Sequence, residues 1–229
     1  MLRTASTSSA FAQGAAGQIE IQIDLPAEVR GIALVCHPHP LFGGTNTNKV
    51  ATTLARAFRE LGYAALRPNF RGVGKSEGWH DRGEGETDDM LAVLDWARAY
   101  WGEGLPVVLG GFSFGAYVLA RLAVRLAAAD SPPRHLVLVG MATGMTRGIG
   151  GGSARRYGTP AVPENVSALV IHGETDETVP LSNVLAWARS QKLPLIVVPG
   201  ADHFFHGNLG HIRNWVSRNV APAGMDAAE

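Results

Sequence analysis

The sequence predicts a single α/β domain in which helices cover both faces of a mostly parallel β-sheet. Three observations carry this. Short apolar runs alternate with amphipathic stretches along the chain, the pattern of repeated strand–helix units. Four of the runs, GIALVC (31–36), PVVLG (106–110), HLVLVG (135–140) and SALVIHG (167–173), are almost wholly apolar, as strands buried on both faces are. The chain has 229 residues, with no internal repeat and no Pro- or Ser-rich linker to divide it, so residues 1–229 read as one domain.

The elements follow in order. QIEIQID (18–24) alternates apolar and polar residues, as a half-exposed antiparallel strand does. GIALVC is the first buried strand. Over 48–61, Val50, Leu54, Ala57, Phe58 and Leu61 recur at helical spacing, and Gly62 follows as the stop signal. YAALRP (63–68) is a short strand. The segment 86–101 is a helix that turns Met90, Leu91, Leu94 and Ala97 inward. PVVLG then leads into a helix over 114–128. After HLVLVG comes an irregular Gly-rich stretch, 141–166. SALVIHG, a helix over 182–190, the strand LPLIVVPG (193–200) and a helix over 211–220 complete the chain.

Composition narrows the function classes. Hydrophobic residues make up 46% of the chain, enough for a substantial core. Twenty Lys+Arg balance twenty Asp+Glu, which gives no reason to expect nucleic acid or an anionic membrane as partner. No apolar run approaches a bilayer span, and the first residues lack the apolar stretch of a signal peptide. Cys36 is the single cysteine, so no intrachain disulfide can form, and the expected compartment is the cytoplasm.

In this fold class ligands bind at the carboxyl ends of the strands. Three chemistry-bearing residues fall there. Ser113 lies in GFSFG just past PVVLG, between Gly111 and Gly115, where a sharp bend would present its hydroxyl. The plainer reading is a serine that caps a helix. Asp176 follows SALVIHG in GETDETVP, with Glu174 and Glu177 as rival carboxylates. His203 follows LPLIVVPG in GADHFFHG, with His206 as its rival. Each has an ordinary structural reading alone. The order nucleophile, acid, histidine, each just past a strand, is the order of a serine-hydrolase triad.

With HPHPLFGGTNTNKV, RPNFRGVGKSEG and PGADHFFHG, the chain resembles the α/β-hydrolase superfamily, and within it a group of small lidless bacterial serine hydrolases. That resemblance implies a sheet of about eight strands, no metal or organic cofactor, and Ser113, Asp176 and His203 as nucleophile, acid and base. It also implies an oxyanion hole. The Phe114 N–H is one donor. The other comes from HPHPLFGG, where Pro38 and Pro40 have no N–H and His39 and Leu41 remain; the superfamily pattern favours His39. A metal reading of His37, His39, His203 and His206 is weaker, because His203 is better used as base.

Segment 141–166 is too short and Gly-rich for a full lid, so an open, shallow cleft is expected, walled by Phe42, Phe114, Met141, Met145 and Phe204. Arg147, Arg155 and Arg156 lie in segment 141–166, where they could face an anionic substrate; the plainer reading is that they are solvated. The expected function is hydrolysis of a small-molecule ester or thioester through an acyl-enzyme. The alternatives are another acyl transfer on the same triad, such as amide cleavage or transfer to an alcohol or peroxide, and a non-catalytic binding scaffold. The oligomeric state is not readable.

Overall fold

The computed structural model describes residues 6–147 and 154–225. Its elements are β1 (Ser6–Gly14), β2 (Gly17–Leu25), β3 (Gly31–Cys36), α1 (Lys49–Glu60), β4 (Tyr63–Pro68), α2 (Glu84–Trp101), β5 (Val107–Phe112), α3 (Phe114–Ala128), β6 (His135–Val139), β7 (Gly144–Thr146), β8 (Arg155–Tyr157), β9 (Ser167–Gly173), α4 (Leu181–Ser190), β10 (Leu195–Val198) and α5 (Leu209–Asn219). Eight strands form one sheet in the order β1-β2-β4-β3-β5-β6-β9-β10. The β1–β2 and β2–β4 pairs are antiparallel and the rest are parallel. This is the α/β-hydrolase fold.

The central strands β3, β4 and β5 are buried along their whole length. Helices therefore cover both faces. On one face α2 and α3 bury Met90, Leu94, Leu119 and Leu122 against Ile32, Leu34 and Leu109. On the other, α1 and α5 bury Leu54, Phe58, Ile212 and Val216 against Val35, Val108 and Val137. Helix α1 starts where the Asn48 side chain accepts from the Val50 and Ala51 N–H groups, a standard N-cap. It ends at Leu61, with Gly62 at φ 92° just beyond, as the sequence predicts.

Two features depart from the sequence reading. β1 lies where no strand is expected. Of STSSAFAQG only Ala12 is buried, so there is little alternation to see; the strand is held by its nine-residue backbone ladder with β2, from Ser6↔Leu25 to Gly14↔Gly17. The Gly-rich stretch contains a two-stranded ribbon in which Gly144, Met145 and Thr146 pair with Tyr157, Arg156 and Arg155. Strands of three residues are too short to show a period. Residues 148–153, which include most of the glycines, lie outside the described residues. Among the described residues no helix is long and apolar enough to cross a membrane.

Phe58 is fully buried between α1 and the sheet. Phe58→Ala should cost about 3–5 kcal/mol, read as a lower denaturant midpoint at unchanged slope. Val124→Ala, at an exposed position, should stay within about 0.5 kcal/mol of the parent.

Candidate active site

The bend after β5 is tight. Ser113 has φ 55° and ψ −117°, outside the region that L-residues favour. Its N–H donates to Val139 O at 2.9 Å, and its carbonyl accepts from Ala116 and Tyr117 of α3 and from Ala142. The flanking glycines are required by contact. A Cβ on Gly115 would lie 2.4 Å from Cys36 O and 2.5 Å from His37 O; one on Gly111 would lie 2.5 Å from Ala116 N. The bend therefore exists only because α3 starts against the end of β3.

This places three side chains in a hydrogen-bonded chain. His203 Nε2 lies 3.0 Å from Ser113 Oγ, and His203 Nδ1 lies 2.6 Å from Asp176 Oδ2. All three are buried. Asp176 is itself held: its Oδ1 accepts from Thr178 N–H at 2.9 Å and Val179 N–H at 2.8 Å, while Oδ2 faces His203 and, at 3.5 Å, the buried His172 Nε2. Such a chain can take a proton from a hydroxyl onto imidazole while a carboxylate fixes the ring's tautomer. The rivals are engaged elsewhere. Glu174 accepts from Gly200 N–H and Glu177 is exposed. His206, on the surface, is 2.6 Å from Asp202.

Around the chain lies a cleft of two parts. The part at Ser113 is narrow, about 20 Å³, and is bounded by His39, Phe42, Phe114, Ala142, Tyr157 and Val179. Phe114 and Tyr157 also border a wider chamber of 580 Å³ beside His80, Tyr117, Arg82, Arg155 and Arg156. Phe114 begins α3, so its N–H belongs to the first turn, which has no partner within the helix. Of the two other candidate donors, the His39 N–H has no acceptor among the described residues. The Leu41 N–H faces His39 Nδ1 at 3.2 Å. His39 Nε2 faces Arg155 Nη1 at 3.2 Å; a neutral ring accepts at only one of its nitrogens, so these two contacts compete.

Residues 16–223 match the family described as X-Pro dipeptidyl-peptidase (S15 family). The chain belongs to the S15 family. An uncharacterized protein of Rickettsia prowazekii (strain Madrid E) is 33% identical over 187 residues, covering 76% of this chain and 71% of that one. The lysophosphatidylserine lipase of Gallus gallus is 29% identical over 223 residues; the match covers 80% of this chain but only 55% of the lipase. Among solved structures, an α/β serine hydrolase without lid from Xanthomonas campestris aligns with TM-score 0.81 and 36% identity over 94% of both chains. An α/β serine hydrolase homologue from Coxiella burnetii aligns with TM-score 0.76 and 39% identity, covering 93% of this chain and 97% of the other. The S15 chain is thus an α/β serine hydrolase without a lid domain.

The expected cleft walls divide. Phe42 and Phe114 line the narrow part. Met141 does not: it is fully buried in the α2–α3 core, and the next residue, Ala142, takes the wall position. Met145 is half exposed on the ribbon and lines neither part of the cleft. Phe204 meets His203 edge to face, ring centroids 5.2 Å apart, but borders a separate hollow with Asn48 and Lys49. Single apolar side chains carry no sign of which way they face, so these errors follow from the sequence. His80, Tyr117 and Tyr157, which do line the chamber, carried no motif. Cys36 is buried with its sulfur 3.2 Å from Met90 Sδ, and burial pushes its thiol pKa well up.

The first-loop histidine of this S15 chain is structural. His37 Nδ1 lies 2.7 Å from Pro38 O, and Nε2 accepts from Phe70 N–H at 3.0 Å, which fixes a neutral tautomer. Burial pushes its pKa down to about 4. Below about 6.5 the unfolded chain takes up a proton that the folded chain refuses, so stability should fall with pH through that window and level off below about 4. His37 alone accounts for about 3 kcal/mol of that loss. Unfolding midpoints measured from pH 7 to 4 should show a shallower slope in His37→Asn than in the parent; equal slopes would remove His37 from this role.

Proposed function

We propose that this chain hydrolyses small carboxylic esters or thioesters through an acyl-enzyme on Ser113. The observation that carries the reading is the Ser113–His203–Asp176 hydrogen-bonded chain at the floor of the cleft. In this reading His203 Nε2 takes the Ser113 proton as Oγ attacks the carbonyl carbon. Asp176 holds the ring and stabilises the imidazolium. The Phe114 and His39 N–H groups face the developing oxyanion; each such donor is worth about 2.7–4 kcal/mol. His203 then protonates the leaving alcohol or thiol. A water, deprotonated by the same histidine, releases the acid.

The family description raises a peptidase as the second reading. A dipeptidyl-peptidase must seat a free N-terminal ammonium. Among the described residues, those that line both parts of the cleft include Arg82, Arg147, Arg155 and Arg156 and no Asp or Glu. An ammonium there would meet like charge without a partner, which favours an ester substrate. The narrow space at Ser113, about 20 Å³, favours a short acyl group. Each buried methylene is worth about 0.8 kcal/mol, and a space this narrow gives a long acyl chain little surface to bury against.

Ser113→Ala should fold as the parent does and lose turnover by a factor on the order of 10⁶. A serine-directed phosphonate should label the parent at Ser113, and labelling at another serine would overturn the assignment. Asp176→Asn should cost roughly 10⁴-fold in kcat, with Glu174→Gln and Glu177→Gln within about ten-fold of the parent. A comparable loss at either glutamate would move the acid. Across 4-nitrophenyl esters, kcat/KM should peak at about two to six acyl carbons. A steady rise to palmitate, or faster cleavage of a Gly-Pro anilide than of any ester, would sink the short-ester reading.

A further inference from the structure

The wider chamber has no task in the hydrolytic steps, yet its chemistry is pronounced. Three guanidinium groups, Arg82, Arg155 and Arg156, border it. Among the described residues none of them pairs with a carboxylate. The acids nearby are already engaged. Glu84 pairs with Arg121, and Asp81 lies 3.9 Å from Arg71. Glu86 is fully buried; although burial alone would raise its pKa, hydrogen bonding with His80 and the Asp81 and Gly83 N–H groups holds it below the ordinary value.

His80 is the second, independent observation. Its side chain is nine-tenths buried and borders the chamber. Nδ1 sits 2.7 Å from Glu86 Oε1, an ion-pair contact, and Nε2 has no hydrogen-bond partner among the described residues. The loop that carries it is fixed: Arg71 donates to both oxygens of Asp89 at 2.8 Å and to Gly85 O at 2.7 Å. A half-enclosed pocket thus presents fork-shaped cations, with His80 packed into its wall beside Tyr117 and Tyr157. Guanidinium groups in such a setting match the paired oxygens of a carboxylate or phosphate.

We propose that this chamber selects substrates carrying a second, ionised oxyanion, a carboxylate or a phosphate, beside the scissile ester. The proposal rests on the hydrolase reading above and deepens it. Phe114 and Tyr157 border both parts of the cleft, and Phe114 directly follows Ser113. The anionic group therefore sits one side chain from the reacting carbonyl. The natural substrate is then a compact, charged ester, and the narrow pocket takes its short uncharged end.

Two matched ester pairs test this. Mono-4-nitrophenyl glutarate against 4-nitrophenyl pentanoate places a carboxylate on the acyl side; 2-phosphoethyl acetate against 2-methoxyethyl acetate places a phosphate on the alcohol side. In at least one pair the anionic ester should have the higher kcat/KM by about ten-fold or more. That advantage should shrink as NaCl rises from about 0.05 to 0.5 M. The double variant Arg82→Gln/Arg156→Gln should bring the ratio close to one. Equal or inverted preference in both pairs, or a ratio the variant leaves unmoved, overturns the proposal. Failure of the hydrolase reading looks different: no ester is cleaved and the phosphonate does not label Ser113. Calorimetry on Ser113→Ala would then still read the chamber, since the glutarate ester should bind about ten-fold tighter than the pentanoate ester, and equal binding overturns the proposal.

Discussion

The site depends on one close approach, that of the first turn of α3 to the end of β3. With hydrogen in place of a side chain at Gly115, the helix backbone reaches the Cys36 and His37 carbonyls. That approach forces Ser113 into its unfavourable φ and ψ and turns the hydroxyl out of the sheet. It also sets Phe114 beside the His37–Leu41 loop, with the Phe114 and His39 rings 4.8 Å apart. The Ser113 N–H bond to Val139 and the Ser113 carbonyl bond to the Ala142 N–H tie the same bend to β6. Strain at one residue is held by the ends of two neighbouring strands, β3 and β6, which is how such strain persists in a stable fold.

Much of this was legible in the sequence because the responsible residues are punctuated. GFSFG names a bend by its glycines. Asp176 and His203 fall just past apolar runs, where the fold class puts ligands. Wholly apolar runs and helical spacing gave the central strands and helices to within a few residues at most ends. β1 escaped because an edge strand held by its backbone needs no apolar pattern. The 144–157 ribbon escaped because three-residue strands have no period. Met141, expected in the cleft, lies in the core, since a methionine after a strand can face either way. The chamber's character was only half visible: Arg155 and Arg156 could be noted, but their joining with His80 and Arg82 is a fact of tertiary structure, some 75 residues apart in sequence by roughly the spacing of two strand–helix units.

The cleft also shows how a neutral chain can be locally one-sided. The total charge is zero, yet the acids near the chamber are neutralised within the protein by Arg71, Arg121 and backbone N–H groups, while the arginines that border it keep their charge free. Pairing therefore decides the field at the cleft where composition does not. A shallow, half-enclosed site with low-dielectric walls concentrates that field on a small ligand. This is a means of discrimination that does not need a lid to enclose the substrate.

The spacing of the hydrogen-bonded chain along the polypeptide has a consequence for biosynthesis. Ser113 and His203 are 90 positions apart, and His203 follows the last strand of the sheet. A ribosome delivers the serine, its bend and most of the sheet well before the histidine that would activate it. On the proposed reading, the hydroxyl is during that interval an ordinary alcohol with no imidazole beside it. On that reading, the hydroxyl meets its base only when β10 docks on β9 and brings the imidazole with it. The order of elements along the chain thus acts as a timer that withholds chemistry until assembly is nearly finished.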